Sequence, residues 1–332
     1  GRASSFLDPQ TGESIDYCQH VTMGCCTNLI EMLQRCGQSQ HWKRYPKLEF
    51  RQAGFQPSRF APSRVLPPPL HLIRALGGIR YLNRRQKLRI ALGVWQLMRT
   101  PSQQLRGVTA SDWLNRHGQN ADVRENFWDV ILVSALGEHA ELVSMAAARK
   151  VIIDGFASAR GASDVLVPDQ PLSVLFGQQL PQTLRDLGVH LHTESVVDEM
   201  IACEDGRIEI HAGGKCLTVA DHVIVATAWH RSAALLSNHL PQPSIESFRA
   251  IPSSPISGVH LWFDREITDR PHTVLVGSLS QWLFRRNRTS TTDDEAYYQV
   301  VISASRDIRG KSQDELVDEV VSELKQLFPA AR

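Results

Sequence analysis

Gly1-Arg2-Ala3-Ser4-Ser5-Phe6 opens the chain, and Ile15-Asp16-Tyr17-Cys18-Gln19-His20-Val21-Thr22-Met23-Gly24-Cys25 follows after a turn-rich stretch from Asp8 to Ser14. An arginine between a glycine and an alanine is by itself a weak signal. Its chemistry is charge pairing and hydrogen bonding to an anion such as a pyrophosphate, which small neighbours allow to come close. The segment after the turn gains meaning only from what the rest of the chain adds.

The chain has 332 residues, 42% of them hydrophobic, and a formal charge of +1. That length supports a large core and is compatible with two domains. No run of 18 or more apolar residues occurs, so no helical membrane span is expected. The first residue is Gly1 rather than Met, and no basic, apolar and small-residue series follows it, so no secretory signal is read. The expectation is a truncated chain. Cysteines stand at 18, 25, 26, 36, 203 and 216 with no C-x-x-C pair, which points to reduced thiols and a cytoplasmic location.

The near-zero charge conceals a local asymmetry. Between Glu49 and Asp112 there is no acidic residue, while Arg64, Arg74, Arg84, Arg85, Lys87, Arg89 and Arg99 are interleaved with Leu70, Ile73, Leu88, Leu92 and Trp95. Pro67-Pro68-Pro69, Gly77-Gly78 and Pro101 divide the run into two helices of about 8 and 18 residues. One reading is a surface resting on anionic lipid, with apolar side chains dipping in and cations meeting headgroups. The other is an ordinary basic face whose acidic partners lie elsewhere. No nucleic-acid-binding motif accompanies the run, and no nucleic-acid partner is expected.

From Pro171 onward the pattern is that of an α/β protein. Leu172, Leu175, Phe176, Leu180, Leu184 and Leu187 form a helical stripe ending at Gly188. Val189 to His192 alternates as a strand does, and Val196 and Val197 follow. Arg207–His211 and Lys215–Val219 flank Gly213-Gly214 and predict a hairpin. The apolar run His222 to Thr227 predicts a strand buried in a sheet. Val259–Phe263, Thr273–Val276, Gln281–Phe284 and Tyr297–Ser303 are further strand candidates, and an amphipathic helix closes the chain.

Several motifs dissolve on inspection. No G-x-G-x-x-G occurs. Gly310-Lys311-Ser312 fails as a phosphate loop because its first glycine is replaced by Ser305, and Ser312 with Glu315 reads as a capping box. His190-x-His192 lacks a third ligand, so no metal is expected. Asn287-Arg288-Thr289 fits a glycosylation acceptor, which carries little weight without a secretory signal. No nucleophile elbow is present.

Taken in order, these segments resemble the flavin amine oxidase and phytoene desaturase superfamily. Gly1 to Ser5 looks like the end of its Gly-Gly-Arg-x-x-Ser/Thr element. Asp16 to Cys25 resembles the Asp-x-Gly-Gln-His-x-x-Met-Gly-Cys stretch of the hydroxysqualene dehydroxylases, with Cys18 in place of the usual glycine. Asp154-Gly155-Phe156, Leu166-Val167-Pro168, Ala220 to Thr227, His260 to Asp264 and Ser280-Gln281-Trp282 are similar as well. The family's C-terminal flavin element is absent after Arg332.

The resemblance implies an incomplete two-domain α/β fold: a Rossmann-type FAD domain from 1–37 and 165–250, and a mixed α+β substrate domain from 38–164 and 251–332. It implies FAD as cofactor and an apolar isoprenoid or triterpenoid substrate. Gly1, Arg2 and Ala3 would meet the pyrophosphate. Gln19, His20 and Gly24 would line the flavin side, Val196 or Val197 would meet the adenine end, and Ala226 and Thr227 would close over the cofactor. The implied reaction is reductive dehydroxylation of hydroxysqualene to squalene in hopanoid biosynthesis. A phytoene or carotenoid type of desaturation and a non-catalytic lipid-binding remnant are the alternatives. No catalytic residue is assigned; His20 is a candidate proton donor, with positioning of its loop as its other role. In this context the basic helical region 64–99 would touch the inner face of the membrane.

Overall fold

The computed structural model describes residues 3–286 and 296–331. Gly1 and Arg2, the pyrophosphate candidates, lie outside the described residues, as does Asn287-Arg288-Thr289. The chain forms two compact units, Gly1–Thr183 with Ser254–Arg332, and Leu184–Ser253.

A six-stranded sheet organises the first unit. Its order is Ile256–Phe263, Ala296–Ser303, Trp282–Arg286, His272–Val276, Leu48–Gln52 and Ser58–Phe60. Neighbours are antiparallel, apart from the parallel pair His272–Val276 and Leu48–Gln52, in which Val274 faces Phe50. The strand Ala296–Ser303 is buried almost throughout, so both of its faces are covered. Alternation assigns the faces. Leu275, Leu283, Tyr298, Val300 and Ile302 pack with Val320, Leu324 and Phe328, on and just beyond the closing helix Gln313–Leu327. The intervening Val274, Trp282, Phe284, Val301 and Ser303 line a cavity on the opposite side. The helix starts as predicted, with Ser312 and Glu315 exchanging capping-box hydrogen bonds.

Helices cover the cavity from the other side. Trp128, Leu132, Leu114, Met145 and Ile152 belong to a buried cluster. Two π-helical turns, Arg124–Trp128 and Ile153–Ala157, widen the helices where they meet the cavity; such turns recur at functional sites. The basic run folds into helices Leu72–Gly77 and Arg84–Arg99, the second capped by Asn83 and Gln86. Among the described residues no helix is long and apolar enough to cross a membrane.

The turn-rich Asp8–Ser14 stretch joins strands Ser5–Leu7 and Ser14–Asp16. Asp8 accepts from both the amide and the hydroxyl of Thr11, and Gly12 takes φ +69°. The pair is tied down through Asp16, whose Oδ1 accepts from Ser5 Oγ at 2.7 Å and from Leu172 N at 2.8 Å.

The second unit contains an antiparallel meander, Val197–Ala202, Ile208–Ala212 and Lys215–Ala220. Gly213 and Gly214 both adopt positive φ, +58° and +73°, as a two-residue hairpin loop requires. Two strand expectations are overturned. His222–Thr227 and Val189–His192 pair with no strand. Val223 and Val225 are half-buried while Ile224 is 92% exposed, so burial alternates along the run although it has no strand partner. Apolar composition records a tendency toward burial, whereas a ladder also needs a neighbouring edge.

Candidate active site

The main cavity of the first unit has a volume of about 670 Å³, within the roughly 300–1,000 Å³ common for ligand sites. Three structures wall it. The sheet contributes Phe50, Trp282 and Phe284; the helical side contributes Phe127, Val130 and Ile131; the N-terminal segment contributes Gln19, Val21, Thr22 and Met23. Trp282 and Phe284, two apart on one strand, stack with centroids 5.4 Å apart and planes 6° from parallel. Trp282 Nε1 donates to Ser134 Oγ at 2.9 Å, which ties the sheet to the helix Asp129–Leu136.

The polar groups on this wall are mostly committed to one another. Asn126 Oδ1 accepts from Gln52 Nε2 at 2.8 Å, and Asn126 Nδ2 donates to the Asp122 carbonyl. Lys150 pairs with Asp154 at 3.4 Å. Burial pushes the Cys25 thiol up to about 11, so it is a neutral wall group rather than a thiolate. Thr22 Oγ1, by contrast, is buried with no hydrogen-bond partner.

Gln19 reaches the cavity but spends its amide on the protein. Nε2 donates to the His20 carbonyl, and Oε1 accepts from Arg286 Nη1 at 2.8 Å. His20 Nδ1 is 2.8 Å from the Cys18 carbonyl, a bond that puts the proton on Nδ1 and orients the ring; neither His20 nor Gly24 is among the cavity-lining residues. Gly24 is required by the chain itself: a Cβ there would stand 1.9 Å from the Gly161 carbonyl oxygen. Ala3 is half-buried just before the first strand. In the second unit Val197 and Thr227 meet in an apolar cleft of about 290 Å³ with Met200, Ile210 and Leu235. Val196 is exposed, and so is Ala226.

The reading of the sequence missed the aromatic wall at Trp282 and Phe284 and the free hydroxyl of Thr22. The signal was present for the aromatics, because period-two alternation puts positions 282 and 284 on one face. Nothing in the sequence could show that Thr22 lacks a partner.

The mixed sheet and helical cover define an α/β architecture shared with FAD-dependent amine oxidases. A structure of a putrescine oxidase from a cofactor-binding redesign superposes with a TM-score of 0.70 at 15% identity, covering 99% of this chain and 74% of that one. Cyclohexylamine oxidase from Brevibacterium oxydans gives 0.65 at 19% identity, covering 100% and 74%. Residues 1–332 match the family described as flavin containing amine oxidoreductase, and the chain belongs to that family.

Curated relatives include 15-cis-phytoene desaturases from Narcissus pseudonarcissus, 21% identical over 99% of this chain and 60% of that protein, and from Glycine max, 21% identical over 82% and 50%. The chain thus spans about half to three fifths of the length of these relatives. The family uses FAD. The residues present fit its ring: Val21, Met23 and the neutral Cys25 thiol beside the flat Trp282–Phe284 wall are compatible with a planar ring.

Proposed function

We propose that this chain is the cavity-bearing part of an FAD-dependent oxidoreductase that removes the allylic hydroxyl of hydroxysqualene to give squalene. The observation that carries the reading is the character of the 670 Å³ cavity. Its wall is dominated by aliphatic and aromatic side chains, and several of its polar groups are engaged by the protein, as in Gln52–Asn126, Ser134–Trp282 and Lys150–Asp154. A wall of this kind binds a hydrocarbon by removing apolar surface from water. The one carboxylate among the described lining residues, Asp154, lies 3.4 Å from Lys150.

FAD when bound supplies a reversible two-electron transfer, here in the reductive direction. Replacing hydroxyl by hydrogen consumes two electrons and two protons and releases water. Trp282, Phe284, Phe127 and Ile131 hold the polyene and exclude bulk water, so that the developing allylic cation is not trapped by solvent. Gln19, His20 and Gly24 would shape the loop on the flavin side. Arg2 would meet the pyrophosphate with Gly1 and Ala3, and Val197 with Thr227 the adenine end.

The second reading, desaturation of a phytoene-like carotenoid, is favoured by the curated relatives, which carry that activity in their names. Incubation of the native protein with hydroxysqualene and reduced flavin distinguishes the two. Squalene is the expected product; its absence, with double bonds introduced into phytoene instead, overturns the first reading in favour of the second.

The proposal includes a peripheral contact with the membrane from which such a substrate must come. It is supported by the helix Arg84–Arg99, which is apolar on two sides. Ile90, Gly93 and Leu97 are buried, while Leu88, Leu92 and Trp95, spaced by four and three residues, are exposed. Val65, 82% exposed, Leu70 and Ile73 add to the exposed apolar surface of the same region. Arg99 lies over the Trp95 ring at 5.1 Å, an amphipathic pair of the kind found at lipid interfaces.

A further inference from the structure

His190 and His192 attract the eye as metal ligands in the sequence, but the fold assembles a different set. Glu209 and His211 are two apart on the strand Ile208–Ala212 and share a face. Across the hairpin, Cys216 is the register partner of His211. One donor atom from each of Glu209, His211 and Cys216 lies within 4.8 Å of the others, and His211 Nε2 is already 2.9 Å from Glu209 Oε2.

We propose that Glu209, His211 and Cys216 form a binding site for a zinc-like divalent cation that clips the hairpin of the second unit. The donor set is a carboxylate, an imidazole and a thiol, which suits zinc or cobalt and disfavours magnesium or calcium. Zinc bonds of about 2.0 to 2.3 Å place tetrahedral ligands roughly 3.2 to 3.8 Å apart, so the trio needs only side-chain adjustment. The imidazole–carboxylate hydrogen bond marks where the ion enters: it takes the place of the shared proton, and the Cys216 thiol loses its own proton to solvent on binding. Cys216 is exposed, which leaves the fourth position open to water. On the third strand Glu199 is the register partner of His211 and brings a further carboxylate to the same row.

The local fold explains what such an ion does. Met200 is the one buried residue in the three strands of this meander, and register shifts interrupt both strand pairings. A sheet with so little core and two glycines in its turn is weakly held in register. A cation bridging His211 and Cys216 fixes the two strands opposite one another, and because the unfolded chain lacks the preformed site, binding stabilises the fold.

The test uses the reduced, chelator-treated native protein titrated with cobalt(II) alone. One equivalent is expected to produce the charge-transfer absorption of a cobalt–thiolate bond together with four-coordinate ligand-field bands. Cys216→Ser should abolish the charge-transfer band, and His211→Ala should weaken binding by more than roughly tenfold, whereas His190→Ala with His192→Ala should change nothing. A readout without substitutions accompanies it: zinc should slow alkylation of Cys216, followed by mass spectrometry, and leave Cys203 of the same unit unaffected. A missing thiolate band at stoichiometric cobalt, a band that survives in Cys216→Ser, or equal protection of Cys203 overturns the proposal.

Discussion

Asp16 and Arg286, 270 positions apart in the chain, form a buried ion pair with Nη2 and Oδ2 at 3.1 Å. Their side chains are 1% and 13% exposed. Asp16 also accepts from Ser5 and from the amide of Leu172, and Arg286 donates to Gln19 and to the Pro168 carbonyl. One carboxylate and one guanidinium therefore join the N-terminal strands, the start of a helix, the cavity-lining loop and an edge of the sheet's aromatic strand. Removing one partner strands a buried charge. Asp16→Ala should cost roughly 3–5 kcal/mol, read by urea or thermal unfolding, and a change within a few tenths would contradict this account.

His272 gives a pH dependence. It is buried against Tyr45, Trp282 and Phe284, neither ring nitrogen has a hydrogen-bond partner, and burial lowers its pKa to about 4 from 6.5. The unfolded chain therefore binds a proton between those values while the folded chain does not. The stability this group contributes is full above pH 6.5 and is lost as the pH falls toward 4, by about 3 kcal/mol in all. Unfolding curves across that window should be steeper in pH for the wild type than for His272→Phe, and equal slopes would refute the assignment.

Gly24 separates packing from cofactor contact. A methyl group there meets the backbone of Gly161, itself at φ +76°, so neither side can yield cheaply. Gly24→Ala should destabilise the protein by roughly 1–3 kcal/mol in the absence of flavin. Were the glycine needed only for flavin approach, flavin-free stability would stay at the wild-type value.

The cavity can be tested without touching its core. Ala135 lines it and is exposed, so Ala135→Trp should occupy volume while leaving the unfolding midpoint within error. Binding of an apolar ligand, followed by fluorescence, should weaken several-fold. Unchanged affinity would place the ligand elsewhere.

The lipid-facing reading predicts that Leu88→Ser, Leu92→Ser and Trp95→Ser together, or Arg84→Glu with Arg85→Glu and Arg89→Glu, reduce sedimentation with anionic vesicles. Lys87 is best left intact, because its Nζ donates to the Gly77 carbonyl at the end of the preceding helix. Equal sedimentation of wild type and both variants would leave the exposed apolar stripe without a membrane role.

Local chemistry was legible where it depends on neighbours in the chain. The capping box at Ser312 and Glu315, the Gly213-Gly214 hairpin, the strands 259–263 and 297–303 and the closing amphipathic helix all follow from turn residues, caps and periodicity. Order along the chain also sufficed for the family, since the ordered similarity of short segments survives even where single motifs are weak. His222–Thr227 shows where such reading stops: the residues favour a strand, but pairing depends on what stands beside them.

By itself, then, the sequence determined many of the elements, their approximate limits and the lineage, because propensity and capping act over a few residues. Only the tertiary structure decided which face of the sheet borders a cavity, that Asn126, Ser134 and Lys150 on its wall are engaged by Gln52, Trp282 and Asp154, and that Gly24 packs against Gly161. It also brought Asp16 to Arg286 and Cys216 to Glu209 and His211. Such relationships depend on distances between residues far apart in sequence, or on the exposure of a single atom, and neither is encoded in any local pattern.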